Sequence, residues 1–339
     1  MSTGFATPTI IAGDRSLVTL VAHELSHSWS GNLVTNATWN DFWLNEGFTV
    51  YLERRIMEAL YGKSYTDMLT LLGYQDLQQT IAQMGEHDPD TYLKLQLNGR
   101  DPDEALTDIA YEKGSLFLQT AEAAVGRERW DNFLKGYFDE FAFQSMTTEK
   151  FIAYLQEKLI GKDTAIEHKI AVAKWVYAPG LPVNFPAIKS ARFDLVDSVV
   201  SRWVGGVPAS KLETNGWTTH EWLHFLRHLP NKLPKSKMVE LDDAFHFSAS
   251  GNSEILAAWF IPVIDNNYTE VYDKIERFLI TVGRRKFLSP LYKELAKTEA
   301  NKKVALAIYK KARLNYHSIS TTTIDGILGL DETRYLSHK

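Results

Sequence analysis

Two histidines four residues apart with a glutamate between them, in His23-Glu24-Leu25-Ser26-His27, constrain this chain more tightly than any other feature. Four residues make about one helical turn, so on an α-helix both imidazoles leave the same face. Placed so, they can give two nitrogens to one zinc ion, with the glutamate beside it as general base. A hydrolytic zinc site needs a third protein ligand and an open position for water. Glu46 follows after 18 residues, in Trp43-Leu44-Asn45-Glu46-Gly47 on the next predicted helix, and is the natural third ligand. Leu17, Val18, Leu20, Val21 and Leu25 make the first helix strongly apolar, and Asp14 is placed to cap it. A charged Glu24 and two histidines in such a helix are unfavourable unless something buried engages them. A metal ion does so.

The chain carries its own control. His220-Glu221-Trp222-Leu223-His224 repeats the pattern, and Asp243 follows after 18 residues. Pro230 and Pro234 interrupt that connection, and no Asn-Glu-Gly helix follows. Trp222, Leu223, Phe225 and Leu226 account for the segment as an amphipathic helix with His220, His224 and His228 on its wetter side. The second match is expected to be a decoy.

At 339 residues the chain has room for two domains. A net charge of -5 with no long basic run argues against nucleic acid or an anionic membrane as partner. No stretch approaches the roughly 18 apolar residues of a membrane span, and no signal peptide opens the chain. The absence of cysteine excludes thiolate ligands and leaves histidine and carboxylate for the metal. A cytoplasmic location is the compatible expectation.

From Asp14 to about Trp175 helical spacing dominates, at 42–61, 64–84, 113–125, 128–142 and 147–159, after an extended entry over residues 1–13. Ala178-Pro179-Gly180-Leu181-Pro182-Val183-Asn184-Phe185-Pro186 cannot continue a helix and marks a boundary. Helices are expected again near 188–204, 217–229, 236–247, 252–264, 268–282, 288–298 and 302–315, without a repeat of fixed period. Strand signals are sparse. The expected organisation is 1–177, a linker at 178–187, and a layered all-α domain over 188–339.

With Gly47-Phe48-Thr49-Val50-Tyr51-Leu52-Glu53 after Glu46, and Tyr111-Glu112-Lys113-Gly114 further on, the chain resembles the gluzincin zinc aminopeptidases. Gly283-Arg284-Arg285-Lys286-Phe287 narrows the resemblance to the leukotriene A4 hydrolase branch. The likeness runs along essentially the whole chain. It implies a mainly α protein, a thermolysin-like zinc domain followed by an all-α, solenoid-like domain of helical layers. Members of this family also carry a large β-rich N-terminal domain and a Gly-x-Met-Glu-Asn loop just before the zinc helix. That motif is absent from these residues, so the resemblance is to the C-terminal part of such an enzyme, with an N-terminal domain as the missing partner.

The resemblance implies one Zn2+ per chain on His23, His27 and Glu46, with Glu24 as general base and Tyr111 as donor to the oxyanion. Glu53, two turns after Glu46, shares its face and could orient a histidine, or else pair with Arg54 or Arg55. Arg284 and Lys286 match the pair that holds the substrate carboxylate, for which a guanidinium is well shaped. By spacing alone those adjacent cations would be a solvated turn. Asp103 in Asp101-Pro102-Asp103 matches an aspartate serving epoxide chemistry and basic peptides, and could equally be a turn residue. The tyrosine expected three residues later is Leu106, which counts against the epoxide reaction. The leading expectation is an aminopeptidase acting on short peptides. The alternatives are a zinc-binding fragment with impaired turnover, a lipid epoxide hydrolase, and an endopeptidase or esterase with a more open cleft.

Overall fold

The structure, a computed structural model, describes residues 16–330. The extended entry expected over residues 1–13 and the Asp14 cap lie outside the described residues. The fold is mainly α, as expected, and divides into two compact units, Arg15–Arg192 and the segment from Phe193 onward.

The first unit begins with α1 (Ser16–Ser26), which carries the zinc motif, and continues through β1 (Val34–Asn36) to α2 (Trp43–Tyr61) and α3 (Lys63–Met84). After a loop come α4 (Gly114–Val125), α5 (Arg127–Glu140), β2 (Gln144–Met146), α6 (Thr148–Leu155), α7 (Thr164–Ile170) and α8 (Val172–Tyr177). The strands pair in parallel, Val34 with Gln144 through Asn36 with Met146. Each is three residues long, too short to show alternation.

The core explains why α2 can hold a ligand rigidly. Trp43, Phe48 and Tyr51 on α2 pack with Phe117, Trp130, Tyr137 and Phe151. At the start of α2, buried Asp41 accepts hydrogen bonds from Lys94 Nζ (2.5 Å), Thr38 Oγ1 (2.6 Å), and Thr148 N and Oγ1 (2.8 Å each). Trp43 Nε1 donates to Thr148 Oγ1 at 3.0 Å, so the N-termini of α2 and α6 are tied together.

Further along α2, Gly47 meets Gly114 at the head of α4. A Cβ on Gly47 would lie 2.9 Å from Gly114 Cα, and one on Gly114 equally close to Gly47 Cα. Backbone faces backbone there, so no flexible side chain can give way. Gly47→Ala is expected to destabilise the unit by about 1–3 kcal/mol, as overpacking does. Thermal unfolding reads this as a lower Tm; an unchanged Tm would mean the two helices part freely.

The second unit contains α9 (Ala191–Val204, from its third residue), α10 (Thr219–Arg227), α11 (Lys235–Phe245), α12 (Ser253–Asp265), α13 (Tyr272–Thr281), α14 (Arg285–Ala296), α15 (Glu299–Ala312) and α16 (Ser318–Leu328). α10 packs on α12, α12 on α14 and α14 on α16, while α13 packs on α15. This is the layered arrangement expected. Two expectations needed adjustment. α14 begins at Arg285 rather than 288, so Arg285 and Lys286 form its first turn. α16 was not foreseen, because Ser-Ile-Ser-Thr-Thr-Thr obscures its apolar spacing.

Candidate metal centre

α1 presents His23 and His27 with ring centroids 5.0 Å apart and planes at 85°. α2 brings Glu46 between them: Oε2 lies 3.2 Å from His23 Nε2 and 3.8 Å from His27 Nε2. The three ligand atoms fall within 4.8 Å of one another. Donors around a tetrahedral zinc at about 2.0–2.1 Å lie about 3.4 Å apart, which these spacings bracket.

The other ring nitrogens are already committed. His23 Nδ1 donates to Glu53 Oε2 at 3.0 Å. His27 Nδ1 faces Ser30 O at 3.0 Å, Asn45 Oδ1 at 3.1 Å and Thr49 Oγ1 at 3.2 Å. With the proton held on Nδ1 by these acceptors, each Nε2 keeps its lone pair for a cation. Glu46 Oε2 is buried and accepts no aligned hydrogen bond despite its close imidazole neighbours. Three electron-pair donors thus converge without satisfying one another, and the residues fit a divalent metal such as zinc. Burial opposes a charge on His23, yet Glu46 and Glu53 override it and raise its pKa to about 9. A cation at this point replaces that proton.

Asn45, Ser30 and Thr49 escaped the sequence reading. In the sequence Asn45 stands out only as the neighbour of Glu46, and nothing in local spacing ties Ser30 O to His27. Gly31 is required here: its φ is +125°, and a Cβ would sit 2.9 Å from Asn45 Oδ1 and 3.3 Å from His27 Nδ1. Glu53 is buried against His23, while Arg54 pairs with Glu112 and Arg55 with Asp131. Glu53→Ala is expected to weaken zinc binding about 10- to 100-fold, as loss of a ligand-orienting carboxylate does. Competition with a chelator measures it; an unchanged affinity would leave His23 oriented without Glu53.

Glu24 is half-buried and makes no hydrogen bond or ion pair with another described residue. Tyr111 stacks on His23 at 6.4 Å and 15°, and touches Phe42 edge-on at 6.1 Å. Burial, then the charges of Glu46, Asp108 and Glu24, raise its pKa, so its hydroxyl stays a proton donor. It sits in a π-helical turn, Ile109–Lys113, a distortion often found at functional sites. The rest of that block is structural. Glu112 pairs with Arg54 at 2.7 Å, Lys113 Nζ donates to Thr91 O at 2.6 Å and Ala178 O at 3.2 Å, and Gly114 meets Gly47.

Asp103 is exposed, in a turn capped by the Asp101 carboxylate accepting Asp103 N at 3.0 Å. It does not join the metal cluster. In the second unit, Arg284 is exposed at the N-cap of α14, over Phe287 at 5.9 Å, and Lys286 pairs with Glu254 at 2.8 Å.

The second motif match folds differently. Glu221 accepts from Thr218 N and Oγ1, at 2.8 and 2.5 Å, completing a capping box at the start of α10. Asp243 does not join His220 and His224 in any ligand cluster among the described residues. The expectation that His224 lies on the wet side is corrected: it is 2 % exposed, stacked on Phe193 at 4.0 Å. Phe193 comes from α9, so local spacing could not reveal this contact.

Comparison with known proteins agrees with the geometry. The family model described as Peptidase family M1 domain matches residues 6–175, and Leukotriene A4 hydrolase, C-terminal, matches residues 217–328. Leucine aminopeptidase 2 of Ajellomyces capsulatus is 34 % identical, over 93 % of this chain and 52 % of its own length. A leukotriene A-4 hydrolase homolog of Botryotinia fuckeliana is 35 % identical, over 95 % of this chain and 50 % of its own. The structure of yeast LTA4 hydrolase in complex with bestatin superposes with a TM-score of 0.86 at 34 % identity, covering 96 % of this chain and 56 % of that one. The chain spans about half the length of the curated relatives it matches. By these matches and its metal cluster, the chain belongs to peptidase family M1, on its leukotriene A4 hydrolase branch.

Proposed function

We propose that the chain is a zinc-dependent aminopeptidase that hydrolyses N-terminal residues from short peptides. The observation that carries this is the convergence of His23 Nε2, His27 Nε2 and the unsatisfied Glu46 Oε2, with Glu24 and Tyr111 beside them. Zinc held there would polarise the scissile carbonyl and make a water molecule acidic enough to attack near neutral pH. Glu24 takes the proton of the attacking water and delivers it to the departing amine. Tyr111 donates its hydroxyl hydrogen bond to the carbonyl oxygen as negative charge develops on it. Glu53, Asn45 and Ser30 hold the imidazoles in place and do not move protons. Leucine aminopeptidase as the name of the relatives favours a free N-terminal residue as the target. Arg284 and Lys286 are proposed to take the peptide carboxylate, and Asp103 a basic side chain.

A second reading has its own observation. On α1 the apolar residues Leu17, Val21 and Leu25, one turn apart, are 41–51 % exposed. Such a stripe beside the metal motif suits a chain that binds zinc but needs more polypeptide to complete its cleft. Aminoacyl anilides assayed beside their N-acetylated forms separate the readings. Cleavage confined to free amines supports the aminopeptidase; equal cleavage of both forms contradicts it. Tight zinc without any cleavage supports the incomplete cleft.

A further inference from the structure

The segment set aside as a motif decoy holds a different cluster, shifted by one helical turn. His224 on α10, His228 at its C-terminal cap and Asp197 on α9 each offer a ligand atom within 4.8 Å of the others. His224 Nε2 lies 2.8 Å from Asp197 Oδ1. His228 Nδ1 donates to the His224 backbone oxygen at 2.7 Å, which leaves its Nε2 lone pair uncommitted. His224 is fixed from both sides, by Phe193 at 4.0 Å and 7° and by His228 at 3.9 Å and 34°.

We propose that Asp197, His224 and His228 form a second divalent-cation site, selective for imidazole-binding metals such as Zn2+, Ni2+ or Cu2+, in the second unit. Two imidazoles and one carboxylate are a donor set these metals accept, while Mg2+ and Ca2+ prefer all-oxygen shells. The His224 Nδ1 is buried without a hydrogen-bond partner, so a ring proton moved there leaves that atom unpaired, as it already is, and frees Nε2 to ligate. Asp197 and His228 are exposed, which gives an ion access and leaves both side chains free to adjust, the 2.8 Å His224–Asp197 contact opening to the ligand spacing of about 3.4 Å. Arg227 opposes the ion electrostatically, as it opposes a proton on His224. The site is therefore weaker than the one at His23, His27 and Glu46. It uses neither His220 nor Glu221, so it shares only His224 with the motif. It places an ion between α9 and α10, where it would brace the start of the helical layers.

Zinc titration of the full chain, with bound metal counted after equilibrium dialysis, tests this. Wild type is expected to bind two ions in separate steps, and His27→Ala only the weaker one. His228→Ala and Asp197→Asn are each expected to bind only the tighter ion, with unchanged turnover and helix content. A single ion in wild type across the micromolar range overturns the proposal. So does a weaker ion that survives both His228→Ala and Asp197→Asn. Because both changes are at exposed positions, one variant remains informative if the other folds poorly.

Discussion

Glu24→Gln is expected to lower kcat on an aminoacyl anilide by about 10²–10⁴-fold while the zinc affinity stays as in wild type. Glutamine keeps the shape of glutamate but cannot take a proton from water at neutral pH. Glu24 makes no hydrogen bond or ion pair with another described residue, so the change removes chemistry without removing a structural contact. Nor is it one of the three converging ligands. Turnover within a few-fold of wild type would eliminate Glu24 as the base. A large loss of zinc would instead make it part of the metal shell.

Tyr111→Phe is expected to reduce kcat about 100- to 1,000-fold, the usual effect of losing one oxyanion donor, with little change in KM or zinc content. The hydroxyl bonds no described residue, and the ring keeps its stacking on His23 and its edge contact with Phe42 in the variant. Burial and three nearby carboxylates keep the phenol protonated, so it serves as donor at neutral and mildly alkaline pH. A KM effect without a kcat effect would assign Tyr111 to ground-state binding rather than to the transition state.

The metal cluster was legible because its information is local. Two histidines at i and i+4 are one turn apart on any helix, and Glu53 seven residues after Glu46 returns to the same face. The structure brings these four side chains together. What was not legible depends on partners distant in sequence. Asn45 and Ser30 hold His27 only because the loop after α1 folds back on α2. Parallel pairing of Val34–Asn36 with Gln144–Met146 spans more than a hundred residues. α7 and α8 are separated at Ala171, whose φ of +53° is unusual for a residue with a Cβ, so no glycine advertised the break. The two identical motifs diverge for the same reason. Glu24 lies within a helix beside a facing α2, whereas Glu221 is at the third position of its helix and caps it.

Zinc content and anilide hydrolysis measured on the same samples of wild type and His27→Ala test the central claim most directly, at zinc levels that fill only the tight site. The account predicts one tightly bound zinc and amine-dependent cleavage in wild type, and loss of both in the variant. Tight zinc retained by His27→Ala would contradict it, because the metal would then lie somewhere other than between α1 and α2.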